Sequence, residues 1–316
     1  MTIRLKMTAL TGLALVLASC ASQPPPQRHL ASRAPMATRP AARPLPYEAP
    51  AIAGPADRTL TAQAAAFESY MRHARAIDPA FGGSGDVAQA LQLGAAHEPH
   101  EFEAGMVAYA ALAALQEPRF VAAVRADKND LARRLAADPQ AALGLPGADA
   151  AAARAAGALY AQGSGLAGEG EKIKRAAYSI QKQTWAKTRA ADHAGELAQV
   201  KRISAASYRP GRDDTEALQA SLAQGQRRPG APGPAVSRGV ALAALSVLGE
   251  TGRGRTLMSE AGASSCLHMA KLNLYQCLAS AGPRYEDIYC LGQHAMIDTG
   301  QCVVEATHAP RQVASR

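Results

Sequence analysis

From about residue 58 to residue 305, apolar positions recur at the spacing of an α-helix. Leu60, Ala64, Phe67, Met71 and Ala74 fall at i, i+4, i+7, i+11 and i+14, one stripe along one side. Thr59 stands where a cap is expected, and Asp78-Pro79 closes the segment. Asp86 opens a shorter helix that stops at Gly94, and Pro99 sits in the first turn of HEFEAGMVAYAALAAL. Asp127, Asp149 and the pair Asp213-Asp214 are further start signals. DPAFGGSG, GSGLAGEG, SYRPGRDD and GQRRPGAPGP read as loops between helices. No run alternates apolar and polar residues at period two with β-branched side chains. The pattern predicts an all-α fold of about ten to twelve short-to-medium helices.

Two segments are almost wholly apolar, residues 105–115 and 239–248. Each is shorter than the roughly 20 residues a bilayer requires, so both are expected to be buried core helices. Aromatic residues are 4% of the chain. Ala, Leu and Val must therefore do most of the packing, which lets helix backbones approach closely.

The helical period is lost before residue 58. Residues 20–57 hold nine prolines together with Arg28, Arg33, Arg39 and Arg43. Such a segment buries too little surface to fold and is expected to be an extended disordered tether, with a reach on the order of 100 Å. Ahead of it, Arg4 and Lys6 precede a 12-residue apolar run, Met7 to Ala18. That length suits an export signal and is too short for a membrane span.

The end of that run, Leu17-Ala18-Ser19-Cys20, resembles the lipobox of bacterial lipoproteins. The resemblance implies cleavage before Cys20 and acylation of its thiol and amine, giving palmitate-type chains as a membrane anchor. Ala21, where an Asp retains such proteins at the inner membrane, implies the outer membrane, with the chain on its periplasmic side. Several acyl chains on one residue suffice for stable anchoring. Losing residues 1–19 removes Arg4 and Lys6, so the formal charge falls from +8 to +6. The expected organisation is a signal peptide (1–19), a tether (20–57), a helical domain (58–260), a cysteine-bearing hairpin packed on it (261–305) and a disordered tail (306–316).

Export places Cys266, Cys277, Cys290 and Cys302 in an oxidising space, where disulfides persist. Zinc suits them poorly, because the intervening stretches of 10, 12 and 11 residues contain no C-x-x-C pair. The text around them reads as two helices joined at AGPRY. Cysteines 11 or 12 residues apart on one helix are about 16–18 Å apart. A disulfide requires Cα atoms within about 7 Å, so each bond must cross between the helices. Facing residues of an antiparallel hairpin have a nearly constant sum of numbers. The pairs Cys277–Cys290 and Cys266–Cys302 keep that sum within one residue, whereas the crossed pairs do not. The expected result is a helical hairpin carrying two nested disulfides.

Other motifs carry less chemistry. GSGLAG, Gly163 to Gly168, matches G-x-G-x-x-G but follows an Ala-rich helical run instead of a strand, so it reads as a flexible loop. HEPHEFE groups His97, Glu98, His100, Glu101 and Glu103 at a helix start, where acidic residues complement the dipole. Spacing supplies no third ligand, and no metal or cofactor is expected. There is no G-x-S-x-G and no evident carboxylate pair. In residues 172–190, Ile173, Ala177, Ile180 and Thr184 form a packing stripe if the segment is one helix. Lys174, Arg175, Lys182 and Arg189 then share another side with Tyr178 and Trp185. Cations interleaved with aromatic faces suit an anionic polymer or a glycan. The competing reading makes both aromatics helix contacts under Lys and Arg stems. The expected function is a non-catalytic binding or scaffolding role in the cell envelope. Its partners are the membrane through the acyl anchor, and an anionic polymer, glycan or envelope protein. Nucleic acid does not suit this compartment. A cell-wall enzyme with unidentified carboxylates and a carrier of small apolar ligands are the alternatives.

Replacing Cys20 with Ser is expected to release the protein from membranes and abolish incorporation of labelled lipid. A variant that still sediments with membranes, beside a wild type that takes up no lipid, contradicts the anchor.

Overall fold

The computed structural model describes residues 55–127, 130–259 and 264–309. The signal peptide, Cys20, the tether up to residue 54 and residues 310–316 lie outside them. The described residues are all-α, with β-structure limited to one isolated bridge between Pro232 and His308. In chain order the helices are α1 (Pro55–Arg75), α2 (Ser84–Ala95), α3 (Pro99–Ala114), α4 (Pro118–Ala126), α5 (Leu131–Ala137), α6 (Ala148–Ser179), α7 (His193–Ser204), α8 (Arg212–Ala223), α9 (Pro234–Val247), α10 (Thr251–Ser259), α11 (Ser264–Ser280), α12 (Arg284–Cys290) and α13 (Thr299–Glu305). Two short 3-10 turns, Pro139–Gly144 and Trp185–Lys187, and a π-helical segment, Leu291–Asp298, complete the chain.

The two apolar runs form the centre. Residues 105–114 of α3, its cap Leu115, and residues 239–245 of α9 are all buried, and α3 and α9 pack on one another. Small residues set the spacing. A Cβ on Gly239 would come within 2.5 Å of Ala110 Cβ, and one on Gly105 within 2.7 Å of Gln63 O on α1. Buried charge is paired: Arg238 of α9 donates to Glu103 of α3 at 2.7 Å and to the carbonyl of Leu257 at 3.0 Å.

The GSGLAGEG segment is not a loop. Residues 163–170 lie in the middle of the 32-residue α6. Tertiary packing overrides the weak helix propensity of glycine here. Gly163 faces Gly300, where an added Cβ would meet the opposing carbonyl at 2.6 Å. Gly170 faces Gly292 in the same way, at 2.9 Å from its carbonyl. These glycines serve as contact points between two helix backbones.

Those partners belong to the C-terminal hairpin. α11 runs out, AGPRY turns, and a second arm runs back through α12, the π segment and α13. Cys266–Cys302 and Cys277–Cys290 join the arms, each with Cα atoms 5.7 Å apart, in the nested pairing expected from spacing. Gly292 and Asp298-Thr299-Gly300 do not end the second arm. The backbone widens into π geometry there, which accommodates an extra residue in a continuous helix. Moving from Gly163 to Gly170 advances seven residues along α6, while Gly300 to Gly292 retreats eight along the arm. The odd residue is the one the π segment takes up. At the turn, Arg284 is 1% exposed. It donates to Glu196 and Asp287 at 2.7 and 2.8 Å and to the Ser84 carbonyl at 2.7 Å, pinning the hairpin to α7 and α2.

Several boundaries differ from expectation. α1 begins at Pro55, a residue whose missing N–H costs nothing at a first turn, so the helical part starts before the expected residue 58. Asp127 follows α4 instead of opening a helix, and Asp130 precedes α5. The tail is ordered through Ala309, because Gly233 N donates to Thr307 O at 3.0 Å and Ala235 N to Ala306 O at 3.3 Å.

Two neighbouring glycines separate packing from propensity. Gly163→Ala is expected to lower stability by about 1–3 kcal/mol through overpacking. Gly168→Ala, where an added Cβ meets nothing within 4 Å, is expected to raise it by about 0.5–1 kcal/mol. Urea denaturation of the two variants checks the opposite signs.

Candidate functional site

α1, α3, α6 and α8 line an open cleft of about 700 Å³. Glu68, Arg72 and Arg75 follow one another at i, i+4 and i+7, so α1 presents them on one face. Tyr109 comes from α3, Gln162 and Gly165 from α6, and Ser221 from α8. Gln162 Nε2 donates to Ser221 Oγ at 2.8 Å and to Tyr109 OH at 3.1 Å, and the two hydroxyls are 2.8 Å apart. Burial pushes the Tyr109 phenol up, against the lowering effect of those bonds, so it remains protonated. Gln162 is buried, yet its Oε1 has no hydrogen-bond partner among the described residues. Gly165 leaves room for the Arg75 guanidinium, which an added Cβ would approach to 3.1 Å. Arg75 Nε donates to Met71 O at 3.0 Å, and the guanidinium forms no ion pair among the described residues.

Two carboxylates meet beside this cleft. Arg72 donates to Glu68 at 3.3 Å and to Asp214, 142 residues away, at 2.8 Å. Asp214 also accepts from Tyr208 OH and from Gly211 N, both at 2.8 Å. Burial alone would raise Asp214, but the bonds from Gly211, Tyr208, Ser69 and Arg72 hold it below its ordinary value. It is an ionised structural anchor for the start of α8. Sequence reading missed this cluster because the pieces lie on four helices. One trace was present: Gln162 is a polar interruption in the buried stripe Ala155, Leu159, Leu166 and Ile173.

The basic and aromatic residues of 172–190 lie partly on a helix and partly beyond it. α6 ends at Ser179, so the helical projection holds for Lys174, Arg175 and Tyr178 and lapses for Lys182, Trp185 and Arg189. Ile173, Ala177 and Ile180 are buried as the stripe requires, whereas Thr184 is exposed. Tyr178 is 59% exposed and stands edge-on to Tyr289 at 6.2 Å. Trp185 is half-buried, and its Nε1 donates to Gln183 at 2.6 Å. Lys174 binds Glu171 at 3.0 Å and Gln293 at 3.1 Å, tying α6 to the hairpin. Arg175, Lys182 and Arg189 are exposed.

The residues of HEPHEFE take different structural roles. Glu98 caps α3 by accepting from Glu101 N at 2.8 Å. Glu103 is the buried partner of Arg238. His97 packs its ring on Tyr70 and Phe102, with centroids 4.4 and 4.7 Å away. Burial, and secondarily the charge of Lys271, hold His97 well below the usual imidazole value. His97 also lines a smaller cleft of about 340 Å³, together with Tyr70, Glu98 and Tyr208. Behind it, the buried Lys271 ammonium donates to Ala95 O at 2.5 Å and to Ser204 Oγ at 3.2 Å.

No protein-family model, curated protein or solved structure matches this chain.

Lys271 makes stability depend on pH. Burial lowers it from 10.5 to about 7, with the Glu98 carboxylate opposing. Between these values the unfolded chain holds the extra proton, so stability rises with pH across that window and is flat below it. The expected gain from pH 7 to 9 is about 2 kcal/mol. Lys271→Met, which leaves Ala95 O its bond from Ser204, is expected to remove that slope. Denaturation midpoints at the two pH values check it.

Proposed function

We propose that this chain is a lipid-anchored envelope protein that binds, without transforming it, a polar glycan-type ligand carrying an acidic group. The cleft at Gln162 is its site. The observation that carries the reading is the Arg75 guanidinium, which has no ion pair among the described residues, facing a cleft that the hydroxyls of Tyr109 and Ser221 also line. Gln162 Nε2 holds the Ser221 and Tyr109 hydroxyls in place, so a ligand hydroxyl meets a fixed pair. Arg75 supplies the planar fork that suits a carboxylate. Tyr109 and Ser221 offer further hydroxyls beside them.

Binding is favoured over bond cleavage by the state of the nearby acids. Glu68 and Asp214 are both committed to Arg72, and Asp214 is held ionised, which suits an anchor and not a proton donor. The location rests on the lipobox resemblance and on the expected tether, whose reach would bring the folded part to cell-wall polymer. The exposed Arg175, Tyr178 and Lys182 offer a further basic surface to the same class of partner.

Calorimetric titration with carboxylate-bearing disaccharide fragments of cell-wall glycan tests this reading. Saturable binding is expected, reduced at least about tenfold by Arg75→Ala and by Gln162→Ala, each removing a charged or buried polar contact. The ligand is expected back intact. Absence of binding, or recovery of a shortened glycan, overturns the reading.

A further inference from the structure

Outside the glycan cleft, the fold assembles a group of ligands that spacing alone did not supply. His268, on α11, stands beside His100, on the first turn of α3, with ring centroids 4.8 Å apart and planes at 65°. Glu98, the cap of α3, completes the group. One ligand atom from each of Glu98, His100 and His268 lies within 4.8 Å of the others. Both imidazoles are exposed, and neither packs as a core histidine does.

The ring orientation of His268 is set by a backbone contact. His268 Nδ1 lies 2.7 Å from the carbonyl oxygen of Ser264. A carbonyl only accepts, so Nδ1 donates to it, which leaves Nε2 as the nitrogen that faces a ligand. A backbone carbonyl holding one ring nitrogen is the usual way a ligating histidine is oriented. Glu98 uses one oxygen on Glu101 N and retains the other. The ammonium of Lys271, one turn along α11, is engaged by Ala95 O and Ser204 Oγ.

We infer that Glu98, His100 and His268 form a surface site for a divalent transition-metal ion of the zinc class, joining the start of α3 to the disulfide-bonded hairpin. Two imidazoles and a carboxylate suit zinc and its neighbours, whereas calcium and magnesium take oxygen ligands. Zinc bonds of about 2.0–2.1 Å place tetrahedral ligands about 3.3 Å apart. Closing from 4.8 Å to that separation requires side-chain rotation, for which the exposed imidazoles of His100 and His268 have room. Three protein ligands leave a fourth position for water.

The protein as isolated from cells, titrated with zinc and back-titrated with a chelator, provides the test. One saturable ion per chain is expected. Affinity is expected to fall at least about tenfold in His100→Ala, His268→Ala and Glu98→Gln, the last of which keeps an acceptor for the helix cap. His308→Ala is expected to match the wild type. Zinc is expected to raise the melting temperature of the wild type and leave that of His268→Ala unchanged. Equal melting temperatures in chelator show that the variants fold. No saturable binding overturns the inference, as does zinc affinity that survives both histidine substitutions.

Discussion

The hairpin formed by α11 and the second C-terminal arm is fixed in one register by two disulfides, and the rest of the structure is arranged on that register. Cys266–Cys302 closes a loop of 36 residues and Cys277–Cys290 one of 13. Loop-closure entropy makes them worth about 4 and about 3 kcal/mol. Sliding one arm by a single residue would carry Gly292 and Gly300 away from Gly170 and Gly163. Side chains would then be forced between two backbones that now touch. Because α6 supplies Gln162 and Gly165 to the cleft, the hairpin indirectly sets the geometry of that cleft.

Small residues and buried ion pairs solve two parts of one problem. A core with few aromatics gains contact area by bringing helices close, which Gly105, Gly239 and the α6 glycines permit. Close helices leave little room for water, so charges that end up inside need protein partners. Arg284 and Arg238 find theirs in Glu196, Asp287 and Glu103. Arg75 stands apart, its guanidinium opening on a cleft with no acid assigned to it among the described residues.

Much of the fold was legible because its signals are local. Helical periodicity showed the all-α class, and the apolar runs showed the central pair α3 and α9. The disulfides were legible because antiparallel helices impose a rule on residue numbers. GSGLAGEG misled because glycine has the same appearance in a loop and in a tight helix contact, and only the partner Gly292 and Gly300 distinguishes them. The patch in 172–190 was drawn past Ser179, where nothing in the composition marks the helix end. The clefts were the least legible. Arg72 with Asp214, Tyr109 with Ser221, and His100 with His268 are each joined by the chain's return after more than a hundred residues.

Mapping the disulfides in protein isolated without reduction tests the central claim most directly. Trypsin alone leaves Cys290 and Cys302 on one peptide, so a second cleavage before Asp287 and Asp298 is needed. The structure predicts that the peptide of Cys266 is linked only to that of Cys302, and the peptide of Cys277 only to that of Cys290. A link from Cys266 to Cys290, or four free thiols, would contradict the hairpin register and the helix packing built on it.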